Sequence, residues 1–221
     1  MAKMEGHPVR IVLCRSAAVV AGVVGLAASW TAPSVEAAAV KTVVIDAGHG
    51  DHDRGGTDGL VYEKHLSLDV ARRLDVYLRS KGIQTVMTRT RDKFISLPSR
   101  CYIANRRRNS VFVSIHFNET SRAGAKGIET FYAGSSGKAL GERVHSRLIS
   151  QTRAENRGLK WKGYYVLRNT KVPAILVECG FLSNSWEKKR CLAPWYRQLV
   201  AQNIGDGIVK YMDDRRRGKV R

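Results

Sequence analysis

Three short apolar runs in this 221-residue chain end on residues that can do chemistry. Val43-Val44-Ile45-Asp46-Ala47 leads into Gly48-His49-Gly50, Val111 to Ile115 delivers His116, and Ala174 to Val177 delivers Glu178. Each run has the composition of a buried strand, and the glycines around His49 mark a sharp exit. In a parallel α/β sheet, side chains at the carboxyl ends of adjacent strands face one crevice. Two imidazoles and a carboxylate, remote in sequence, can meet there, which suits a metal-assisted hydrolase.

A catalytic zinc takes three protein ligands and keeps one position for water. His49, Glu63 and His116 are the ligand set expected here. The Gly-rich turn lets the backbone bend beside His49 at little steric cost. Glu63 stands at the start of a helix that must pack back on the sheet, and His116 divides an apolar strand from polar residues. Zinc lowers the pKa of its water to about 7 and polarises a carbonyl. Glu178, ending a buried strand, fits the group that takes the water's proton and passes it to the leaving amine. Duller readings stand beside these. A histidine after a strand is commonly a hydrogen-bonded core residue, Glu178 could pair with Arg89, and Glu63 could be a helix-start charge favoured by the dipole. His52 and His65 are alternative ligands, His52 being close enough to His49 to rival it, whereas His145 lies mid-helix and is set aside. No HExxH pattern occurs.

The elements that must position these residues are readable in order. Thr42 to Ile45 is a strand, and a polar, Gly-rich loop runs from Gly48 to Gly59. A helix begins at Glu63, with Leu66, Val70, Leu74, Tyr77 and Leu78 on one face and Gly82 at its end. Ile83 to Thr88 is the next strand, Leu97 to Arg108 a helix with Ile103 and Ala104 inward, and Ser110 to His116 a central strand. Gly127 to Ala133 reads as a strand, Lys138 to Arg153 as a helix, and Tyr164 to Leu167 as a short edge strand. Pro173 opens the last core strand and Pro194 a final helix, Trp195 to Met212. Strands alternate with helices, so the expected fold class is α/β. One domain, residues 40–213, should hold a twisted, mostly parallel central sheet flanked by helices on both faces, with 214–221 as a basic tail.

Residues 1–37 read as an export signal. Lys3, Arg10 and Arg15 precede an uncharged stretch from Ser16 to Val35, and small residues at Val35-Glu36-Ala37 place cleavage near 37–39. The rival is an uncleaved membrane anchor, since Ser16 to Ala32 is just long enough to span. Cys14 precedes the apolar stretch, so no lipoprotein anchor is read. The formal charge is +19, and removing the three basic and two acidic residues of the leader leaves +18. That excess points to an anionic partner such as a wall polymer or membrane surface, and export argues against nucleic acid. Arg106-Arg107-Arg108 and Arg215-Arg216-Arg217 are the densest clusters, and each reads equally well as a solvated helix end. Cys101, Cys179 and Cys191 have no CxxC spacing, which excludes a zinc ribbon; a Cys179–Cys191 bridge after export is the alternative, and buried free thiols are expected.

Seven segments then fall in one order over residues 42–212. They are Val44-Ile45-Asp46-Ala47-Gly48-His49-Gly50, Glu63, Arg100 with Ala104-Asn105, and Phe112-Val113-Ser114-Ile115-His116. Gly127-Ile128-Glu129-Thr130-Phe131-Tyr132, Val166-Leu167-Arg168 and Pro173-Ala174-Ile175-Leu176-Val177-Glu178-Cys179-Gly180-Phe181-Leu182-Ser183-Asn184 complete the set. In these the chain resembles the bacterial N-acetylmuramoyl-L-alanine amidases, zinc-dependent cell-wall hydrolases. The resemblance implies Zn2+ held by His49, Glu63 and His116, with Glu178 as catalytic acid/base, and it favours His49 over His52. It implies cleavage of the amide joining muramic acid to the first alanine of the peptidoglycan stem, in wall remodelling or daughter-cell separation. An exported monomer in the periplasm or cell envelope is expected. Asn118 and Arg168 are candidate substrate contacts, a purely structural role being equally open.

Three departures from the family pattern carry expectations. Phe117 follows His116 where relatives more often have a small residue, and is expected to narrow the cleft. Only Gly134 to Gly137 separates the strand ending at Ala133 from the next helix, leaving no room for the inhibitory helix of some relatives, so the site should be open without an activator. Wall-binding modules that many relatives append are not seen, and the positive charge is expected to do part of their work. A zinc peptidase on stem peptides, and a noncatalytic wall-binding protein on the same fold, are the competing readings.

Overall fold

The computed structural model describes residues 39–122 and 124–220, so the leader read in residues 1–37 lies outside the described residues. In chain order the elements are β1 (Thr42–Ala47), β2 (Thr57–Asp58), β3 (Val61–Tyr62), α1 (Glu63–Ser80), β4 (Gln84–Met87), α2 (Leu97–Asn105) and β5 (Ser110–Asn118). There follow β6 (Ile128–Tyr132), α3 (Gly134–Thr152), β7 (Asn156–Trp161), α4 (Tyr165–Arg168), β8 (Ala174–Phe181), α5 (Ser185–Leu192) and α6 (Pro194–Arg216). Six strands form one sheet in the order β4-β1-β5-β8-β6-β7, and β2 pairs with β3 apart from it. Every pairing in the large sheet is parallel except β6 with β8. The expected α/β architecture is therefore present, with helices on both faces.

Alternation along each strand divides the core in two, because successive side chains leave opposite faces of a sheet. Val43, Ile45, Val111, Val113, Ile175 and Val177 point to one side, where α1, α3 and α6 contribute Leu74, Leu78, Val144, Leu148, Ile204 and Ile208. Val44, Phe112, Ala174 and Leu176 point to the other, under Cys101 and Ala104 of α2 and Val166 and Leu167 of the single turn α4. Asp46, Ser114, His116 and Glu178 share the parity of this second, thinner face. The same two-residue period that builds the core thus gathers the polar residues beneath α2 and α4.

Several boundaries differ from the sequence expectation. Tyr164 to Leu167 is no strand: Leu167 and Arg168 donate backbone bonds to Tyr164 O, closing a helical turn, and Val166 and Leu167 cap the thin-face core. The edge strand on that side is β7, whose polar sequence carries no buried position and whose register slips near Gly158, a residue at φ 91°. Helix α2 stops at Asn105, and the three arginines lie in the turn that Asn109 closes at φ 56°. Helix α3 starts at Gly134, not Lys138, since Gly137 lets it approach β8 so closely that a Cβ would lie 2.8 Å from Ala174 O. Helix α6 runs on to Arg216, and its Asp214 takes Arg143 and Lys210 at 3.1 and 2.7 Å, so the expected basic tail begins inside a helix.

Helix α5 was not expected. Asn184 caps it, accepting from Trp186 N and Glu187 N, and buried Glu187 accepts from Gly127 N at 2.8 Å and Phe181 N at 2.9 Å. That one carboxylate ties the entry of β6 to the end of β8. Glu187→Ala leaves two buried donors unpaired and is expected to cost about 2 kcal/mol, read as a lower urea midpoint. Cys101, Cys179 and Cys191 are buried free thiols, and burial with the nearby Glu187 charge pushes Cys191 up to about 12. Among the described residues no helix is long and apolar enough to cross a membrane.

Candidate metal centre

The site is built on the turn that leaves β1. Gly48 N donates to Ile115 O at 3.0 Å, and His49 takes a left-handed conformation at φ 60°. Such a backbone costs about 1–3 kcal/mol in a non-glycine residue and persists only where neighbours fix it. Two arginines do so. Arg89 donates to Ala47 O at 3.0 Å and Gly48 O at 2.7 Å, and Arg100 to Ala47 O at 2.6 Å and His49 O at 2.8 Å. Arg100 is held in turn by Asp46 at 2.8 Å, and Ser114 and Thr88 donate to the same carboxylate at 2.6 and 2.7 Å. Burial alone would raise the Asp46 pKa, but the Arg100 charge and these hydrogen bonds outweigh it and hold the carboxyl below its ordinary value. At Gly48 a Cβ would stand 2.4 Å from the His116 ring, so only glycine admits that imidazole.

His49, Glu63 and His116 each offer a ligand atom, and these atoms lie within 4.8 Å of one another. Glu63 is the first residue of α1, so its reading as a helix-start charge holds together with its place in this cluster. Its Oε1 lies 2.7 Å from His116 Nδ1 and accepts from Phe117 N at 3.0 Å, while Oε2 lies 3.1 Å from His49 Nε2 and accepts from Gly56 N at 2.8 Å. Burial would raise its pKa, but bonds from His116 and His49 and their charges outweigh it, keeping Glu63 far below the usual carboxylate range. Behind His49, Asp53 Oδ1 sits 2.8 Å from Nδ1, which directs Nε2 inward. Burial would lower the His49 pKa, but Glu63 and Asp53 more than reverse this and raise it. Two imidazoles, one ionised carboxylate and an outer carboxylate orienting a ring form a donor set that fits zinc.

Glu178 is the register partner of His116 on one side and of Glu129 on the other. It is 9% exposed, and its Oε2 is buried with no hydrogen-bond partner among the described residues. Burial, then the Glu63 and Glu129 charges, push its carboxyl well above the ordinary value. The alternative pairing with Arg89 is not made, because Arg89 is spent on backbone carbonyls. A buried carboxyl with a raised pKa beside a metal donor set is equipped to hold and release a proton.

These groups line a cleft of about 660 Å³ whose other walls include Phe94, Leu97, Tyr164 and Tyr165. Asn118 lines it too, with Nδ2 donating to Glu129 Oε1 at 2.7 Å, and Lys160 meets the other Glu129 oxygen at 2.6 Å. Arg168 lies exposed at the end of α4 and is not among the cleft residues. His52 is exposed and stacked on Phe94 at 4.4 Å, away from the cluster. His145 is buried between Thr130 and Asn156. Phe117 is among the cleft residues, while strand alternation places its side chain in the opposite core, where it is 1% exposed. Only Ala133 separates β6 from α3, so no helix is inserted there. Asp53, Arg89, Arg100 and Glu129 support the site, although the sequence offered Arg89 only as a partner for Glu178 and Arg100 and Glu129 only within the family-like segments. Asp53 was signalled by standing four residues after His49 in the loop, whereas the other three depend on tertiary contacts.

A family model described as N-acetylmuramoyl-L-alanine amidase matches residues 43–210. The chain is 33% identical over 175 residues to N-acetylmuramoyl-L-alanine amidase LytC of Bacillus subtilis, covering 77% of this chain and 35% of that protein. It is 32% identical to the probable cell wall amidase LytH of Staphylococcus epidermidis, covering 77% of this chain and 58% of that one. It thus spans only about a third of LytC and under two thirds of LytH. Among solved structures, the catalytic domain of CwlV, an amidase from Bacillus (Paenibacillus) polymyxa var. colistinus, superposes with a TM-score of 0.76 at 36% identity, covering 78% of this chain and 98% of that one. An N-acetylmuramoyl-L-alanine amidase of Clostridium difficile 630 gives 0.76 at 38% identity, covering 79% and 98%. In sequence, in fold and in the cluster at the strand ends, this chain belongs to the N-acetylmuramoyl-L-alanine amidase family.

Proposed function

We propose that this protein hydrolyses the amide between N-acetylmuramic acid and L-alanine in peptidoglycan, at a centre formed by His49, Glu63, His116 and Glu178. The observation that carries the reading is the convergence of three ligand atoms beside a buried carboxyl oxygen that lacks a partner. Zinc held by His49, Glu63 and His116 would supply a Lewis acid that brings a water's pKa to about 7 and polarises the scissile carbonyl. Glu63 stays ionised and supplies the negative charge of the donor set. Asp53 accepts a hydrogen bond from Nδ1–H of His49, keeping the proton on that nitrogen and so leaving Nε2 free to coordinate. Glu178 accepts the water's proton at Oε2 and delivers it to the alanine nitrogen as the amide breaks. Asn118, which lines the cleft and donates through its NH2 to Glu129, would offer its carbonyl oxygen as an acceptor for a stem-peptide N–H.

The open cleft supports turnover without an activating partner. A wall substrate places the working enzyme outside the cytoplasmic membrane, in wall remodelling or cell separation. The test is mass spectrometry of purified murein after digestion with the zinc-loaded protein. Free stem peptides beginning with alanine, together with peptide-free glycan, are expected. Shortened peptides still attached to muramic acid would instead make it a peptidase, and tight binding without products a wall-binding protein.

A further inference from the structure

We infer that the end of the sheet opposite the cleft is a docking surface for anionic membrane lipid. Lys41, Arg106, Arg107, Arg108 and Lys171 are all exposed there. Hydrogen bonds tie their segments together: Lys41 N donates to Asn109 O at 2.7 Å, and Lys171 N to the side-chain Asn105 Oδ1 at 2.7 Å. The five cations thus surround the starts of β1, β5 and β8, three neighbouring parallel strands. Among the described residues none of the five has a carboxylate within ion-pair distance, although most other acidic groups near cations are paired. The sequence explains this, for no Asp or Glu occurs from Lys93 to Asn118 or from Asn156 to Val177. The same acid-free segments run on to the cleft, so what marks this end is the five exposed cations gathered at the strand starts without a carboxylate partner.

Two further features select a membrane over a soluble polyanion. Tyr102 on α2 is 61% exposed beside the arginines, its hydroxyl accepting from Arg106 at 3.0 Å. Trp161 is 64% exposed at the end of β7, which finishes where β8 begins because β6 and β7 run against β8. Exposed Tyr and Trp next to Lys and Arg is the composition of a membrane–water interface. The chain also enters β1 at this end, a few residues after the uncharged apolar stretch Ser16 to Val35. His116 lies six residues up β5 from Ser110, about 20 Å at the rise of an extended strand. A protein seated on its basic end therefore presents its cleft away from the bilayer, toward the wall.

The test is co-sedimentation of the full chain with phosphatidylcholine vesicles, with and without phosphatidylglycerol. Binding is expected to require the anionic lipid and to weaken as salt rises. Arg107→Gln/Arg108→Gln should weaken it roughly twentyfold, at about fivefold per charge near the surface. The same loss of charge at the cleft end, Arg122→Gln/Lys126→Gln, should weaken it by less than about twofold. Unchanged hydrolysis of soluble muropeptides by both variants would show that the fold is intact. Equal weakening by the two pairs would mean that net charge, not this surface, does the binding. Unaltered vesicle binding with lost retention on murein would assign the patch to the wall. Either result overturns the inference.

Discussion

His116→Ala is expected to lose zinc and hydrolysis together. Of the two imidazoles this is the more enclosed: it stands over Gly48, faces Glu63 at 2.7 Å and pairs in register with Glu178. Alanine leaves two donors, fewer than any catalytic zinc site uses. Affinity for zinc, read by competition with a chelator, should fall by well over about a hundredfold, the upper range for losing an outer-shell partner. Asp53→Ala removes only such a partner, behind His49, and should weaken zinc by about tenfold. Equal losses in the two variants would contradict the assignment of His116 as a direct ligand and Asp53 as a support.

Asp46→Ala should be the most destabilising single change near the site, by about 3–5 kcal/mol in urea unfolding. It strands the Arg100 guanidinium, which is 3% exposed and already bonded to the carbonyls of Ala47 and His49. Ser114 and Thr88 lose their acceptor at the same time. The pair also carries a pH signature. Its folded pKa is depressed, so Asp46 contributes stability that is fully present above the unfolded value near about 3.9 and lost as pH falls through the lower folded value. The parent should therefore lose stability in that acid window, and Asp46→Asn should flatten that part of its pH dependence. A parent curve that stays level there would mean the carboxylate is not tied as described.

Much of this was legible because a buried parallel strand is written as an unbroken apolar run. Val43 to Ala47, Val111 to Ile115 and Ala174 to Val177 announce their strands, and the residues just after each run must lie at its carboxyl end. Short runs carry less information. Tyr164 to Leu167 is apolar enough for a strand or a helical turn, and only packing of Val166 and Leu167 on the thin-face core decides it. Strand β7 hid because an edge strand can be polar. Helix α5 did have a signal, Asn184 three residues before Glu187, a pattern that caps a helix start. The direction of Phe117 follows from alternation once β5 is known to continue to Asn118. The work of Arg89 and Arg100 could not be read from sequence, because the backbone carbonyls they hold at the His49 turn lie 41 to 53 positions away.

In the proposed mechanism three residues hold the metal and one moves a proton. The most direct test is to measure zinc content and murein hydrolysis together in Glu178→Gln. The glutamine keeps the shape of Glu178 but cannot exchange a proton at Oε2. One zinc per chain, bound as tightly as in the parent, with release of stem peptides lowered by about 10²–10⁴-fold, is the expected result. Hydrolysis near the parent rate, or loss of zinc along with activity, would contradict it.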